Sequence, residues 1–231
     1  MKILALVTAR GGSVRLPGKN LRPLGGKPLI NWSIEIAQDI PEICEILVST
    51  DNESIADVSR QAGALVPWLR PEELATNDAI SVDVAIHALN WYEAEKGIVD
   101  GLLLLQPTSP FRSRQTVLNG IALFEKTGML PVVGVSPTHA HPLWSFKIEN
   151  EELLSFIDNS GILKRSQDLE PVYIVNGSFY LISPSDLREK KSFFGQRTIP
   201  IVSESEQEAL DIDSEMDFAF AEFIYKNIIQ K

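Results

Sequence analysis

The amino-acid sequence predicts an α/β fold in which a mostly parallel sheet is flanked by helices. Short apolar runs that stop at polar residues, such as 3–7 and 101–105, are typical of strands buried on both faces. Segments with helical spacing of apolar residues separate these runs as far as residue 136, and such alternation favours parallel strands. The chain has 231 residues, 44% of them hydrophobic, which suffices for one buried core.

The elements follow in a regular order over the first half of the chain. We expect strands at 3–7, 45–49, 101–105 and 132–136, and helices from Asn31 and at 51–63, 80–95 and 113–126. Over 137–183 the pattern changes, because segments 144–148 and 172–182 are β-rich with no helix between them. We therefore expect one domain, 1–231, with a β-rich excursion at 137–183 outside the main sheet. A strand at 199–202 and a helix at 214–229 close the chain.

Charge and cysteine content exclude several classes of protein. The formal net charge of −10 disfavours binding to nucleic acid or to an anionic membrane. The single cysteine, Cys44, allows no internal disulfide, and its apolar surroundings favour a small core residue over a nucleophile. The apolar run before Arg10 is too short for a signal peptide or a membrane span. A cytoplasmic location is therefore expected.

The loop after the first strand concentrates glycines and cations. In open α/β sheets, ligands bind beyond the carboxyl ends of the strands. Gly11 and Gly12 allow a close backbone approach and can point N–H groups at a ligand. Arg10, Arg15 and Lys19 place three cations within ten residues of an acidic chain, which favours a triphosphate over the alternative of a solvated surface loop. Neither GxxxxGK[ST] nor GxGxxG occurs, which excludes a P-loop kinase and an ordinary dinucleotide-binding domain.

The order of residues in this loop resembles that of the sugar nucleotidyltransferases. Ala-Arg-Gly-Gly-Ser, then Pro-Gly-Lys-Asn-Leu and Gly-Lys-Pro-Leu-Ile, is most similar to the N-acylneuraminate cytidylyltransferases (CMP-sialic acid synthetases). The resemblance spans nearly the whole chain and implies a Rossmann-like sheet of the nucleotide-diphospho-sugar transferase type. The nucleotide contacts that it implies here are Ala9, Arg10, Gly11, Ser13, Lys19 and Asn20, with Arg10 and Lys19 also catalytic. Residues 15–19 also resemble the Kdo cytidylyltransferases, so this loop does not separate the two groups.

A second motif follows the second strand. Residues 69–75 resemble the family's Arg-Pro-x-x-Leu-Ala sequence and precede a helix that starts near Ser81. The resemblance implies that Arg70 lies beside the base and that Ser81 contacts the nucleotide. From the residues alone, Ser81 can equally be a helix N-cap and Arg70 can form a salt bridge within the loop.

A third motif ends the most apolar strand. Residues 105–112, Leu-Gln-Pro-Thr-Ser-Pro-Phe-Arg, contain two prolines that fix the backbone beyond the strand tip. The motif is distinctive of the acylneuraminate branch, and the resemblance places Gln106 against the sugar acid. The alternative is a strand-to-helix turn capped by Ser113, which explains the prolines and the serine but not Gln106.

A fourth motif, Asp-Ile-Asp at 211–213, resembles the family's metal motif. Residues i and i+2 of an extended segment face the same way, so Asp211 and Asp213 can converge on one cation. Mg²⁺ suits carboxylates combined with substrate phosphates, and the resemblance makes Asp211 catalytic as well. Helix capping is an alternative that can hold at the same time, since Ser214 and Asp217 have the spacing of a capping box.

The resemblance also assigns roles within the excursion at 137–183. It implies a homodimer interface that reaches into the active site of the partner, with sugar contacts at Arg165, Asn176 and Tyr180. An arginine suits a bidentate bond to the sugar carboxylate, formed in trans. The alternatives are a surface charge for Arg165 and simple turn chemistry for Asn176 before Gly177.

The activity implied is the transfer of CMP from CTP to the anomeric hydroxyl of a nine-carbon 3-deoxy-2-keto sugar acid, with Mg²⁺ as cofactor and release of pyrophosphate. Trp144 stands where some sialic acid enzymes carry lysine, which favours a less hydroxylated acid of the legionaminic type. One alternative is a Kdo-type enzyme, against which Gln106 and the Asp-Ile-Asp motif argue. A second is an enzyme for a neutral sugar phosphate, which leaves Arg165 without a carboxylate. A non-enzymatic alternative is a nucleotide-sugar binding protein that has lost catalysis.

Overall fold

The structure is a computed structural model that describes residues 1–13, 15–138, 140–157 and 164–230. Within these residues, six strands form the main sheet, in the order β10-β6-β9-β5-β1-β4. Its strands are β1 (Ile3–Thr8), β4 (Ile43–Ser49), β5 (Gly101–Leu104), β6 (Val132–Pro137), β9 (Tyr173–Ile182) and β10 (Ile199–Val202). Two hairpins lie apart from it, β2 (Pro23–Leu24) with β3 (Lys27–Pro28) and β7 (Phe146–Glu149) with β8 (Glu152–Ser155).

The helices cover both faces of the sheet. They are α1 (Leu29–Glu35), α2 (Glu53–Gln61), α3 (Ser81–Lys96), α4 (Arg114–Lys126), α5 (Pro184–Lys190) and α6 (Glu215–Ile224), which continues as a π-helical turn, Tyr225–Ile229. Strand β1 alternates between the two layers, with Ile3 and Val7 in the core beneath α4 and Leu4 in the core beneath α3. The α/β fold class and the mostly parallel sheet are confirmed.

Strand β9 corrects one prediction. The segment at 172–182 was expected outside the main sheet, but Tyr173–Ile182 lies inside it, antiparallel to both β5 and β6. The carboxyl half of the strand is buried, whereas Tyr173, Ile174 and Val175 extend past β5 and remain exposed. The break in the strand–helix alternation therefore marked an inserted antiparallel strand. Among the described strands of the predicted excursion, β7 and β8 lie outside the main sheet, as expected. Residues 158–163 of the excursion lie outside the described residues.

Several helix ends follow from their caps. The side chain of Ser113 accepts a hydrogen bond from the amide of Thr116 at the start of α4. Ser214 forms the predicted capping box with Asp217 at the start of α6. The N-cap alternative for Ser81 is wrong, because Ser81 is the first helical residue of α3 and the residue before it provides no side-chain cap. Helix α1 begins at Leu29, two residues earlier than predicted.

A third apolar cluster joins the two ends of the chain. It contains Leu16 and Leu24 from the region after the first loop, and Ile212 and Phe218 from the end of the chain. The ring of Trp32 packs edge-on against Phe111 and Tyr225 at its margin. This cluster fixes the first loop against the 211–217 segment, which positions the candidate site. Among the residues that the structure describes, no helix combines the length and apolar character needed to cross a membrane.

Candidate active site

Three of the sequence motifs meet at one cavity of about 190 Å³ beyond the carboxyl ends of β1 and β5. Its walls are Thr8, Arg10, Ser13, Arg15, Lys19, Asn20, Gln106, Pro107, Thr108 and Asp213. The first loop, the Gln106 segment and the Asp-Ile-Asp segment therefore share one surface, at the edge of the sheet where α/β folds bind ligands.

The first loop is held in shape by its own hydrogen bonds. The amide of Ala9 donates to the carbonyl of Ser49 at 3.0 Å, which continues the pairing of β1 with β4. The side chain of Asn20, itself buried, donates to the carbonyl of Arg10 at 3.0 Å. Gly18 adopts a left-handed conformation before the short helix that carries Lys19. These contacts fix the loop before a ligand arrives.

Gly11 has a different role from the one predicted. Its N–H was expected to face the ligand, but it donates to Asp51 Oδ1 at 2.7 Å. A Cβ at this position would lie 2.9 Å from the Cβ of Asn52, the residue that caps α2. The glycine is required because the loop passes close to the start of that helix.

Two cations of the loop share one carboxylate. Lys19 Nζ lies 3.1 Å from Asp213 Oδ1 and also donates to the carbonyl of Ile212 at 2.8 Å. Arg15 Nη2 lies 2.7 Å from Asp213 Oδ2. With Arg10 on the same cavity, positive charge exceeds negative charge around its rim. Such a surface suits a polyanion.

The second carboxylate of the motif lies in a different environment. Part of Asp211 is open to solvent, but desolvation by the packing around its carboxyl raises its pKa. The hydroxyl of Thr108 opposes this rise by donating to the carboxylate, and the negative charge of Asp213 adds to it. The amide of Ile212, between the two aspartates, donates to the carbonyl of Thr108 at 2.8 Å and ties them to the Gln106 segment.

The two aspartates fit a divalent cation that also binds substrate phosphate. Mg²⁺ is usually held by one or two carboxylates together with phosphate oxygens and waters. Within the described part of the chain, no group of three or more His, Cys, Asp or Glu residues could hold a metal without a substrate. Desolvation is the main cause of the raised pKa of Asp211 and the charge of Asp213 is a smaller one, and a bound cation would offset both effects.

A second cavity, of about 540 Å³, adjoins the first. It is lined by Asp51, Leu69, Arg70, Glu72, Ala75 and Thr76. Arg10 connects the two cavities, because its Nη1 donates to the carbonyl of Thr76 at 3.3 Å and to Asn77 Oδ1 at 2.7 Å. Ser81 is exposed at the start of α3, beyond this loop.

Arg70 forms part of the floor of the second cavity. The residue is 8% exposed, and its guanidinium donates to the hydroxyl of Ser49 at 3.0 Å and to the Ser49 carbonyl. The loop salt bridge considered as an alternative is absent, because no carboxylate of the described residues pairs with Arg70 at ion-pair distance. Burial lowers its pKa to about 10, and the nearby Asp51 opposes this change.

Three predicted sugar contacts do not line either cavity. Asn176 is buried, and its side-chain Oδ1 accepts hydrogen bonds from the amide and the hydroxyl of Ser178. Its Nδ2 donates to Ser203 Oγ. The Tyr180 ring packs against Phe193, with the ring centroids 5.3 Å apart. Arg165 is largely exposed and pairs with Asp168 at 2.9 Å. Of the four residues predicted to bind the sugar, Gln106 alone lines a cavity of this chain among those described.

Sequence reasoning missed three residues of the site. Asp51 accepts a hydrogen bond from the Gly11 amide and lines the second cavity. The Thr108 hydroxyl donates a hydrogen bond to the Asp211 carboxylate. Arg112 is buried behind Gln106 and bonds its carbonyl. Thr108 and Arg112 belong to the motif that carries Gln106, so their position in it was a usable signal. Asp51 directly follows a strand end, which is the usual place for ligand contacts in such sheets.

Comparisons with known proteins identify the family to which the chain is similar. A cytidylyltransferase family model matches residues 4–127, which include the first loop, Arg70 and Gln106. A CMP-N,N'-diacetyllegionaminic acid synthase of Legionella pneumophila is 41% identical over 222 residues, which cover 96% of this chain and 95% of that protein. An N-acylneuraminate cytidylyltransferase of Escherichia coli is 32% identical over 95% of this chain, but the chain spans only 51% of that protein.

A solved structure matches the fold. The CMP:2-keto-3-deoxy-manno-octonic acid synthetase complexed with CTP superposes with a TM-score of 0.72, covering 98% of this chain and 99% of that one, at 17% identity. This likeness supports the architecture alone. The family model spans more than half of the chain and the Legionella protein nearly all of it, so the chain belongs to the cytidylyltransferase family and is a nucleotidyltransferase.

Proposed function

We propose that the protein transfers CMP from CTP to the anomeric hydroxyl of a nine-carbon 3-deoxy-2-keto sugar acid and releases pyrophosphate. The observation that carries the proposal is the cavity where Arg10 and Lys19 meet Gln106 and Asp213. Cations that neutralise a triphosphate thus lie beside a polar amide suited to a sugar. Relatives named for CMP transfer to legionaminic and N-acylneuraminic acids support the choice of acceptor.

The two adjoining cavities suit the two halves of the nucleotide. The second cavity, with Arg70 and Asp51, offers polar groups of both signs for the cytosine base. Arg10 lies between the cavities, where the phosphates would follow the ribose. Lys19 and Ser13 then face the terminal phosphates, with Ser81 on the outer side of the base.

Asp211 and Asp213 are the residues that would hold Mg²⁺. When bound, the cation supplies charge neutralisation at the phosphate oxygens. Asp213 is also the partner of Lys19 and Arg15, so phosphates that draw these cations away leave its carboxylate free. Asp211 keeps its orientation through Thr108.

The proposed reaction depends mainly on the positions of the acceptor hydroxyl and the α-phosphate. The anomeric oxygen attacks the α-phosphorus, a new phosphorus–oxygen bond forms, and the bond to pyrophosphate breaks as the hydroxyl proton is lost. Lys19 and Arg10 offset the charge that develops on the phosphate oxygens, which is the usual source of catalysis in such transfers. Gln106 holds the acceptor so that its hydroxyl faces the α-phosphate.

We propose an acceptor of the legionaminic type. Trp144, in the short helix Pro142–Trp144, carries an apolar ring at a position where some sialic acid enzymes have lysine. An apolar wall favours a sugar with fewer hydroxyls, because a buried hydroxyl without a partner is costly. The name of the Legionella relative is a second, independent support.

A second copy of the chain completes the proposed site. The β7–β8 hairpin, the two residues that follow it and the exposed half of β9 carry solvent-facing apolar side chains: Phe146, Ile148, Leu153, Leu154, Phe156, Ile157, Tyr173, Ile174 and Val175. An apolar surface of this extent is typical of an interface between proteins. Arg165 lies on the same excursion, outside both cavities, so we propose that it reaches the sugar carboxylate of the partner subunit.

The test is pyrophosphate release measured with each of CTP, UTP, ATP and GTP in the presence of Mg²⁺ and N-acetylneuraminate or a legionaminate. Turnover with CTP and a nine-carbon acid is expected. No turnover with any combination, together with a CTP-induced rise in melting temperature, would favour the non-catalytic binding protein. Turnover restricted to another nucleotide would contradict the proposal. A larger melting shift with CTP plus Mg²⁺ than with CTP alone is expected.

A further inference from the structure

Arg112 is buried directly behind the wall of the active site. The residue is 3% exposed, yet it lines neither of the two cavities. Its Nη2 donates to the carbonyl of Gln106 at 3.0 Å, its Nη1 donates to Ser33 Oγ at 3.2 Å, and its Nε donates to the carbonyl of Ser178. The guanidinium thereby joins β5, α1 and β9 at the point where β5 ends.

The burial of this charge is costly, and no direct ion pair compensates it within the described residues. Burial lowers the pKa of Arg112 to about 9, and the charge of Glu208 opposes this change. Glu208 is itself buried and accepts a hydrogen bond from Thr116 Oγ1 at 2.7 Å. An apolar residue would fill the same space at a lower desolvation cost. The planar fork of donors is what arginine alone provides.

The first function of that fork is to fix the backbone of Gln106. The Gln106 carbonyl accepts two bonds, one from Arg112 and one from Ser33 Oγ at 3.1 Å. Ser33 in turn accepts from Arg112, so the three groups form a closed ring of hydrogen bonds. The direction in which the Gln106 side chain leaves the strand end is set by this ring.

The second function is to fix the surface against which that side chain lies. Between Val133 and Val135 the register of β6 with β9 shifts, and the irregularity coincides with Asn176–Ser178. Gly177 there has φ 75°, and a Cβ on it would lie 2.8 Å from Gln106 Oε1. The side-chain amide of Gln106 therefore rests on the bare backbone of Gly177. Strand irregularities beside active sites commonly direct a side chain in this way.

We propose that Arg112 is a positioning residue for the acceptor half of the reaction. By bonding the carbonyls of Gln106 and Ser178, it sets the orientation of the Gln106 amide in the cavity without touching substrate. This inference rests on the proposed function, in which Gln106 contacts the sugar acid. It goes further by assigning the geometry of that contact to one buried guanidinium.

The test compares kinetic constants for the two substrates. Lysine at this position cannot reach three acceptors in one plane, so Arg112→Lys should raise the acceptor KM or lower kcat by about 10-fold or more, since small misplacements of a reacting group are costly. The CTP KM should stay within about twofold, because Arg112 lines neither cavity. Ser33→Ala removes one of the two donors to the Gln106 carbonyl and should give a smaller effect of the same kind.

A double-mutant cycle separates positioning from general destabilisation. In a Gln106→Ala background, Arg112→Lys should change the acceptor KM and kcat no further, because its effect passes through Gln106. A full additional loss in that background would overturn the proposal, as would an equal rise in the CTP KM. If Arg112→Lys loses its melting transition, Ser33→Ala decides, and unchanged acceptor kinetics in that variant would overturn the proposal. A wild-type protein that turns over no acid would instead contradict the proposed function itself.

Discussion

Lys19 Nζ lies 3.1 Å from Asp213 Oδ1, although 194 positions separate the two residues in the chain. The contact exists because the apolar cluster beneath α6, with Leu16 and Ile212, packs the first loop against the end of the chain. The lysine side chain is only 11% exposed, so its charge interacts with Asp213 in a partly desolvated setting. The cation proposed to bind phosphate and the carboxylate proposed to bind Mg²⁺ are thereby kept in contact.

Replacing Lys19 should abolish most of the activity. Lys19→Met removes the buried cation that offsets charge on the phosphates, and we expect kcat/KM to fall by about 100-fold or more, as when one donor to a developing anion is lost. Steady-state pyrophosphate release checks this. The matched control is Lys190→Met, which also breaks a lysine–carboxylate pair, with Asp186 at 2.7 Å, but on α5 and outside both cavities. Equal losses in both variants would refute a specific role for Lys19.

We expect the Asp211 carboxylate to support turnover while it lowers the stability of the folded protein. Its pKa is raised, so the folded state holds the proton more tightly than the unfolded chain, and stability falls as the pH rises above the ordinary carboxyl value of 3.8. Asp211→Asn should therefore raise the melting temperature of the ligand-free protein at pH 7. The gain should shrink as the pH is lowered toward 3.8, where the wild-type carboxyl is protonated too.

The same variant should lose turnover. Removing one of two carboxylates at the proposed Mg²⁺ position should lower kcat by about 100-fold or more. Asp57→Asn, in a surface pair with Arg60 at 2.9 Å, is the control that should change neither quantity appreciably. A lower melting temperature together with near-normal Mg²⁺-dependent turnover in Asp211→Asn would refute both assignments.

Gly177 should be intolerant of a methyl group for a local reason. Gly177→Ala places a Cβ 2.8 Å from Gln106 Oε1, so the amide must move and the acceptor KM should rise by about 10-fold. Gly128→Ala is the control, because that glycine also has positive φ, 71°, but its Cβ would meet nothing within 4 Å. Both variants should lose about 1 kcal/mol of stability from backbone strain. Similar acceptor kinetics in the two would contradict this account of Gln106.

The hairpin between β2 and β3 offers a test of how the chain ends are joined. Gly25 and Gly26 both have positive φ, but a Cβ on Gly25 would lie 2.5 Å from the Tyr225 ring, whereas one on Gly26 meets nothing within 4 Å. Gly26→Ala should cost about 1 kcal/mol through backbone strain. Gly25→Ala should cost about 3 kcal/mol, because overpacking adds to that strain. Urea unfolding measures both, and equal values would show that Tyr225 does not hold the turn.

The proposed reach of Arg165 into the partner subunit can be tested by mixing inactive variants. Lys19→Met and Arg165→Ala each disable a different part of the site. Mixed dimers should contain one site with both residues intact, so the mixture should recover about a quarter of wild-type activity after subunit exchange. Size-exclusion chromatography confirms that dimers are present. No recovery from exchanged dimers would place Arg165 in the same subunit as Lys19, whereas near-normal activity of Arg165→Ala by itself would place Arg165 outside the site.

The sequence predicted the parallel part of the sheet well, because strands such as Gly101–Leu104 are buried on both faces and so read as continuous apolar runs. It placed β9 wrongly. The composition of a β-rich segment does not indicate which strands it pairs with. The stretch without helices before β9 therefore suggested an excursion outside the main sheet. The exposed half of β9 extends beyond β5 but still pairs with β6, so the error concerned the whole strand.

Site residues that belong to a recognised motif could be predicted from the sequence. The burial of a residue in the folded protein could not. Arg10, Lys19, Gln106 and Asp213 came from motifs and meet at one cavity. Arg112 belongs to the motif that carries Gln106, but the sequence did not indicate its burial, because an arginine in a polar turn is usually solvated and the contacts with β9 and α1 form only in the fold. Sequence spacing alone also could not direct the Gly11 amide toward Asp51.

The most direct test of the account is pyrophosphate release from CTP and Mg²⁺ with a panel of acids: N-acetylneuraminate, a legionaminate, a pseudaminate, ketodeoxynonulosonate and Kdo. We predict turnover with nine-carbon acids, because Gln106 is proposed to contact such an acid, and the highest kcat/KM with the legionaminate, because Trp144 is proposed to favour a less hydroxylated acid. Turnover with Kdo alone would contradict the account, since it would assign the cavity around Gln106 to an eight-carbon acid.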